Sequence, residues 1–155
     1  MIGQTAGMAG PSIHATAILW GYRGILIRGP SGSGKSRLAL SLLQSHGPEL
    51  VRLIGDDRIH LEAMHGRLLM RPAQVLAGRI EIRGQGIARL PFEPVAVAHL
   101  VVDLDASDSA RLPEAVSLTT DLLGVRLARL PVAPGVDARV ALLARLDEKC
   151  QWDSA

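Results

Sequence analysis

The chain is 155 residues long, the size of one domain with a core of its own. Seventeen Lys and Arg against fifteen Asp and Glu give a formal charge of +2, too small for the polyanion grip that nucleic acid needs as a main partner. The one cysteine, Cys150, rules out an internal disulfide, and no apolar run reaches the ~18 residues of a membrane span, so a soluble, cytoplasmic protein is expected.

Residues 1–11 hold four Gly or Pro and read as a flexible leader. A first strand is expected over 12–20 and a second over 25–28, joined by a turn at 21–24. Residues 29–36 then read GPSGSGKS, a complete GxxxxGK[ST] phosphate loop placed directly after an aliphatic strand. Its residues Gly29, Pro30, Ser31, Gly32, Ser33 and Gly34 let successive backbone N–H groups curl around one anion. Lys35 is set to reach the β and γ phosphates and Ser36 to reach Mg²⁺. Leu38, Leu42 and Leu43 have helical spacing, so a helix over 35–46 aims its positive end at the same phosphates, ended by His46-Gly47-Pro48. A nucleoside triphosphate site follows from this agreement of strand, loop and helix.

A buried strand is expected over 50–54, ending at Asp56-Asp57. An antiparallel hairpin follows over 58–64 and 67–70, turning at His65-Gly66. Further strands are expected over 95–104 and 127–132, with a closing helix over 137–146 and a frayed tail at 149–155. Parallel core strands and antiparallel additions should therefore coexist in one α/β domain spanning 12–148. Only 3% of residues are aromatic, so Leu, Val, Ile and Ala must pack the core.

A phosphate loop does not choose a reaction; the acids do. Asp103 and Asp105 follow an aliphatic strand and are one candidate pair. Asp56 and Asp57 are preferred, because they end the strand that follows the loop's helix, and neighbouring strand ends converge on ligand in such sheets. Adjacent carboxylates beside a triphosphate suggest a division of work, one toward the metal and one toward a proton. The string EIRGQGI, Glu81, Ile82, Arg83, Gly84, Gln85, Gly86 and Ile87, combines a charged pair with two glycines and reads either as a site loop or as an exposed strand face with a glycine bulge.

Taken together, SIHATAILW, GPSGSGKS, the GDD at 55–57 and EIRGQGI resemble the catalytic domain of HPr kinase/phosphorylase, in the short bacterial form that lacks the N-terminal domain of longer relatives. The resemblance implies the P-loop-containing mixed sheet of the HPr kinase and PEP carboxykinase-like fold. It implies a serine kinase of the phosphocarrier HPr that uses ATP with Mg²⁺, or pyrophosphate, and a phosphorylase that uses inorganic phosphate, in regulation of carbohydrate use. By the same resemblance Lys35 holds phosphates, Ser36 and Glu81 serve the metal, and Asp57 with Asp56 beside it supplies the base. His14 matches the family's active-site histidine and Arg111 its mobile-loop arginine. A homo-oligomer, a hexamer in the family, is also implied.

Three departures stand out. Gln85 replaces a leucine of the family string, and Pro30 and Arg37 stand where the family places acids, which makes the phosphate site more positive. The segment PVAPGVD at 131–137 lacks the basic residue that the family's C-terminal motif carries and links to phosphorolysis. Two other functions compete: a small-metabolite kinase, for which Arg67, Arg71 and Arg79 are too scattered to form a lid, and a non-catalytic nucleotide sensor that signals to a sensor kinase.

Overall fold

The computed structural model describes residues 11–45 and 47–151. Residues 1–10 of the expected leader, His46 and residues 152–155 of the expected tail lie outside the described residues. The stretch expected as one strand over 12–20 is two: β1 (Ser12–His14) and β2 (Thr16–Trp20). Between them the Ala15 N–H donates to Asp57 O at 3.2 Å, so the chain leaves one ladder and enters another at this point. β1 pairs with β5 (Arg58–Met64), whereas β2 lies between β3 (Arg23–Arg28) and β4 (Val51–Gly55).

That insertion orders the sheet. β2 is antiparallel to both β3 and β4, so these two run in the same direction and their carboxyl ends lie at one end of the sheet. Helix α1 (Lys35–Leu43) makes the crossover between them. It stops three residues short of the expected end: Gln44 caps it, with its N–H on Leu40 O, and the Ser45 hydroxyl takes up the carbonyl of Ser41. Serine hydroxyls that bond back to the preceding turn compete with helix continuation.

β5 and β6 (Arg67–Pro72) form the expected hairpin. His65 and Gly66 both have positive φ, 52° and 75°, the two-residue geometry whose twist matches a right-handed strand pair. After a 3-10 turn at Gln74–Leu76, EIRGQGI, open between a site loop and an exposed strand face, lies in a hairpin: β7 (Arg79–Ile82) and β8 (Gly86–Arg89) pair separately from the main sheet. β9 (Ala96–Leu104) is the branch of the structure. One edge pairs with β3; the other pairs with β6 at its start and with β11 (Val125–Val132) further on. β10 (Thr119–Leu122), which follows a 3-10 turn at Ala115–Leu118, pairs with β11, and α2 (Ala138–Leu146) closes the chain. Among the named strands only β3/β9 and β9/β11 are parallel, so the sheet is more antiparallel than the sequence suggests.

Period-two alternation gives the sheet two apolar faces. Ile18, Ile25 and Ile27 pack under α1 and α2 against Leu38, Leu42 and Leu142. Ala17, Leu26 and Ile54 point the other way, onto Ile59, Leu61, Leu68 and Met70 of the β5–β6 hairpin. Burial of each large aliphatic side chain contributes about 1.5–3 kcal/mol. Gly24 is required by proximity alone: a Cβ there would sit 2.2 Å from Val97 O.

Candidate functional site

The carboxyl ends of β3 and β4 open into a cleft of about 940 Å³, within the range of small-molecule sites. Ser31 to Arg37 of the phosphate loop and first helical turn form one wall. His14, Thr16, Asp56 and Asp57 form the floor, and Leu76, Arg79 to Arg83 and Ile87 form the other wall.

Gly32 and Gly34 of the loop have φ 81° and 97°, backbone that an L side chain rarely adopts. A Cβ on Gly29 would lie 2.5 Å from Ser33 Oγ, so the loop's first residue must also lack one. Gly34 caps α1 with no side chain, and the first turn holds no acid, so the amides of this turn are left for an external anion. Ser33 Oγ is buried and without a partner among the described residues, the state a phosphate oxygen would relieve. The site therefore fits a triphosphate. Lys35 is 7% exposed, and its Nζ donates to Gly29 O and Pro30 O at 2.9 and 3.0 Å. Reaching a γ phosphate takes exchange of those two bonds.

The two aspartates have separate environments. Asp56 is 7% exposed and accepts three hydrogen bonds: Oδ1 from Thr16 Oγ1 and Ser36 Oγ, each at 2.7 Å, and Oδ2 from the Glu81 N–H at 3.3 Å, which leaves one acceptor position on Oδ2. This one carboxylate ties β2, α1 and β7 together. Its neighbour Asp57 is exposed, with Oδ1 3.1 Å from His14 Nε2. Asp57 has φ 74°, and the Arg58 N–H donates to Asp56 O at 2.9 Å around it. A three-residue turn closed this way with positive φ at its centre is a strained γ-turn, and such strain of ~1–3 kcal/mol collects at functional positions.

Ser36, Asp56 and the adjacent Glu81 suit Mg²⁺, which uses one or two carboxylates, a hydroxyl, waters and substrate phosphates in place of an all-protein cage.

Asp103 has a structural task. Burial pushes its carboxyl up, yet the hydrogen bonds from Arg28 at 2.7 Å and from Arg129 outweigh this and leave it below the ordinary carboxylate range. Arg129 also forks onto Asp108 at 2.7 and 2.9 Å and donates to Ser117 O. The Asp108 hydrogen bond is the largest contribution holding the Arg129 guanidinium more firmly protonated than usual, and it lowers the Asp108 carboxyl in turn.

Of the residues expected in the site, His14, Lys35, Ser36, Asp56, Asp57 and Glu81 meet in the cleft, with Ser31 to Gly34, Ile82, Arg83 and Ile87. Gly29 and Pro30 serve through their carbonyls, and Gly84 to Gly86 belong to the turn and start of β8. Arg111 does not line the cleft; it is exposed in the loop between β9 and the 115–118 turn. Thr16 was missed by the sequence reading. Its signal was a hydroxyl two residues beyond His14 in an otherwise apolar strand.

Comparison with known proteins identifies the family and the fold. The family model described as the HPr serine kinase C-terminal domain matches residues 9–142. The HPr kinase/phosphorylase of Halalkalibacterium halodurans is 30% identical over 135 residues, 77% of this chain and 41% of that protein. The protein of the same description from Clostridium novyi is 29% identical over 133 residues, 78% of this chain and 42% of its own length. That of Clostridium tetani is 40% identical over 68 residues, 44% and 21% respectively. The chain thus spans less than half the length of these relatives. The solved Hpr(Ser) kinase/phosphatase from Coxiella burnetii has the same fold, with a TM-score of 0.70 at 24% identity over 88% of this chain and 92% of that one.

Proposed function

The chain belongs to the HPr serine kinase C-terminal domain family, and on that premise we propose that it is a cytoplasmic, ATP-dependent serine kinase of the phosphocarrier HPr, with residues 12–148 as the catalytic unit. The observation that carries this reading is the contact of Ser36 Oγ with Asp56 Oδ1 at 2.7 Å, which joins the phosphate loop to the paired acids. It leaves Asp57 free to face an incoming hydroxyl.

The loop amides and Lys35 hold the triphosphate with its γ phosphorus toward Asp57. The Asp57 carboxylate accepts the proton of the acceptor serine as the serine oxygen forms its bond to the γ phosphorus and the bond to the ADP oxygen breaks. His14 orients Asp57 from the side. Asp56 is held by three donors beside Ser36, so these two with Glu81 would hold Mg²⁺, which would supply charge neutralisation on the phosphates. In the reverse direction, with inorganic phosphate as acceptor, Asp57 returns a proton to the departing serine oxygen. The segment PVAPGVD contributes its aspartate as a helix cap, Asp137 Oδ1 accepting from the N–H groups of Arg139 and Val140, and supplies no basic group. Kinase activity is therefore the principal direction, with control of carbohydrate use as its role.

The test is incubation of the protein with labelled ATP, Mg²⁺ and HPr carrying either Ser or Ala at the acceptor position. Label on the serine form alone supports this reading. Label on a metabolite but not on HPr supports a small-metabolite kinase, and ATP binding without transfer supports a nucleotide-sensing module. Release of pyrophosphate from serine-phosphorylated HPr and phosphate measures the reverse direction.

A further inference from the structure

The β7–β8 hairpin carries charge that its own energetics disfavours. Arg79 and Arg89 are direct cross-strand partners, so their side chains leave the same face about 5 Å apart at Cβ, and like charges so placed destabilise a strand pair. Both are exposed, as is Arg83 at the turn. The side chain of none of the three has a hydrogen bond or ion pair with a described residue. The one carboxylate on that face, Glu81, stands opposite Ile87, which is 63% exposed.

A second conflict faces the first across the cleft. Arg37 lies in the first turn of α1, exposed, at the positive end of the helix dipole and with no acid in that turn to offset it. Arg37, Arg79 and Arg83 all line the cleft; Arg89 does not. A nucleotide in the phosphate loop accounts for charge inside the cleft and leaves Arg89 unexplained. An extended anionic chain that crosses the rim and continues over the hairpin meets every one of these cations.

Resting on the reading of the chain as a protein kinase, we infer that the outward face of the β7–β8 hairpin docks the acceptor protein, and that what it takes is an acidic segment beside the reactive serine. Complementary charge of this kind raises the rate of encounter and loses effect as salt screens it.

Arg89→Glu tests this. It places opposite charges at the cross-strand position, so the melting temperature holds or rises, which guards against misfolding. Expected at low ionic strength is a loss of about tenfold in kcat/KM for HPr with the KM for ATP unchanged, and a difference that vanishes in high salt. Arg89→Lys should restore the wild-type value. A fluorescein-labelled ten-residue polyglutamate peptide should bind the wild-type chain and fail to bind Arg89→Glu. That binding result stands without HPr: if HPr is never labelled but the peptide binds in this pattern, the acidic-segment surface is upheld and the HPr reading falls. Normal labelling of HPr with equal kcat/KM in wild type and Arg89→Glu at low salt overturns the docking surface and leaves the HPr reading intact. Binding of a dT10 oligonucleotide as tight as that of the peptide, lost in the same variant, also overturns it, in favour of a nucleic-acid surface.

Discussion

Asp57 reaches His14 across the break between β1 and β2, with 3.1 Å between Oδ1 and Nε2, while the Asp57 carbonyl accepts from the Ala15 N–H next door. Both side chains are well exposed, at 42% and 61%, so the pair contributes little to stability. Its consequence is orientation: a strained turn and a strand switch combine to hold one carboxylate outward over the cleft.

Asp57→Asn removes the proton acceptor while keeping shape, so kcat for phosphorylation of HPr should fall ~10²–10⁴-fold with ATP affinity retained. Asp57→Gly relieves the positive φ and should raise stability by about 1 kcal/mol with the same loss of activity. Steady-state kinetics with chemical denaturation of both variants checks the two together; lost ATP binding in the asparagine variant would make Asp57 a nucleotide residue.

His14→Ala should lower kcat without weakening ATP, because the imidazole acts through Asp57. In a double-mutant cycle with Asp57→Asn the two losses should be far from additive, since the histidine has nothing to orient once the carboxylate is gone. Additive losses would place His14 in a separate role.

Thr16→Val leaves the buried Asp56 carboxylate with one donor fewer, a loss of about 2 kcal/mol for a hydrogen bond to a charged group. Urea unfolding measures it. Because Asp56 joins three elements, Asp56→Ala should cost more than Thr16→Val and should also remove the Mg²⁺ dependence of ATP binding.

Asp103 and Asp108 both have carboxyls held below the ordinary range in the folded chain. A group lowered on folding stabilises above its unfolded pKa, about 4, and that contribution is lost as pH falls through the folded value. The melting temperature should therefore drop as pH is lowered below about 4, and in Asp103→Asn part of that dependence should be absent. At neutral pH the same substitution leaves Arg28 and Arg129, 27% and 13% exposed, without their shared carboxylate, at a cost of about 3 kcal/mol. A melting curve from pH 3 to 7 on both proteins decides it.

Much of the fold was legible locally. The phosphate loop declared itself through glycines at positions of positive φ, the β5–β6 turn through His65-Gly66, and α2 through Asp137 ahead of its apolar spacing. The acid pair was legible through its place after β4. What misled were features with no local cause: residues 12–20 have one continuous strand pattern, yet Ala15 divides them because two different partners claim the halves. EIRGQGI was open between a site loop and a strand face, and it became a hairpin whose backbone secures Asp56 through Glu81.

The amino-acid order by itself determined the anion cradle, since φ beyond the reach of side chains, helix polarity and a lysine at fixed offset are all properties of neighbouring residues. Only the tertiary structure decided the division between the two aspartates and the fate of Asp103. Those depend on hydroxyls, an imidazole and guanidinium groups brought from strands distant in sequence, and a carboxylate's task is set by which donors surround it in space.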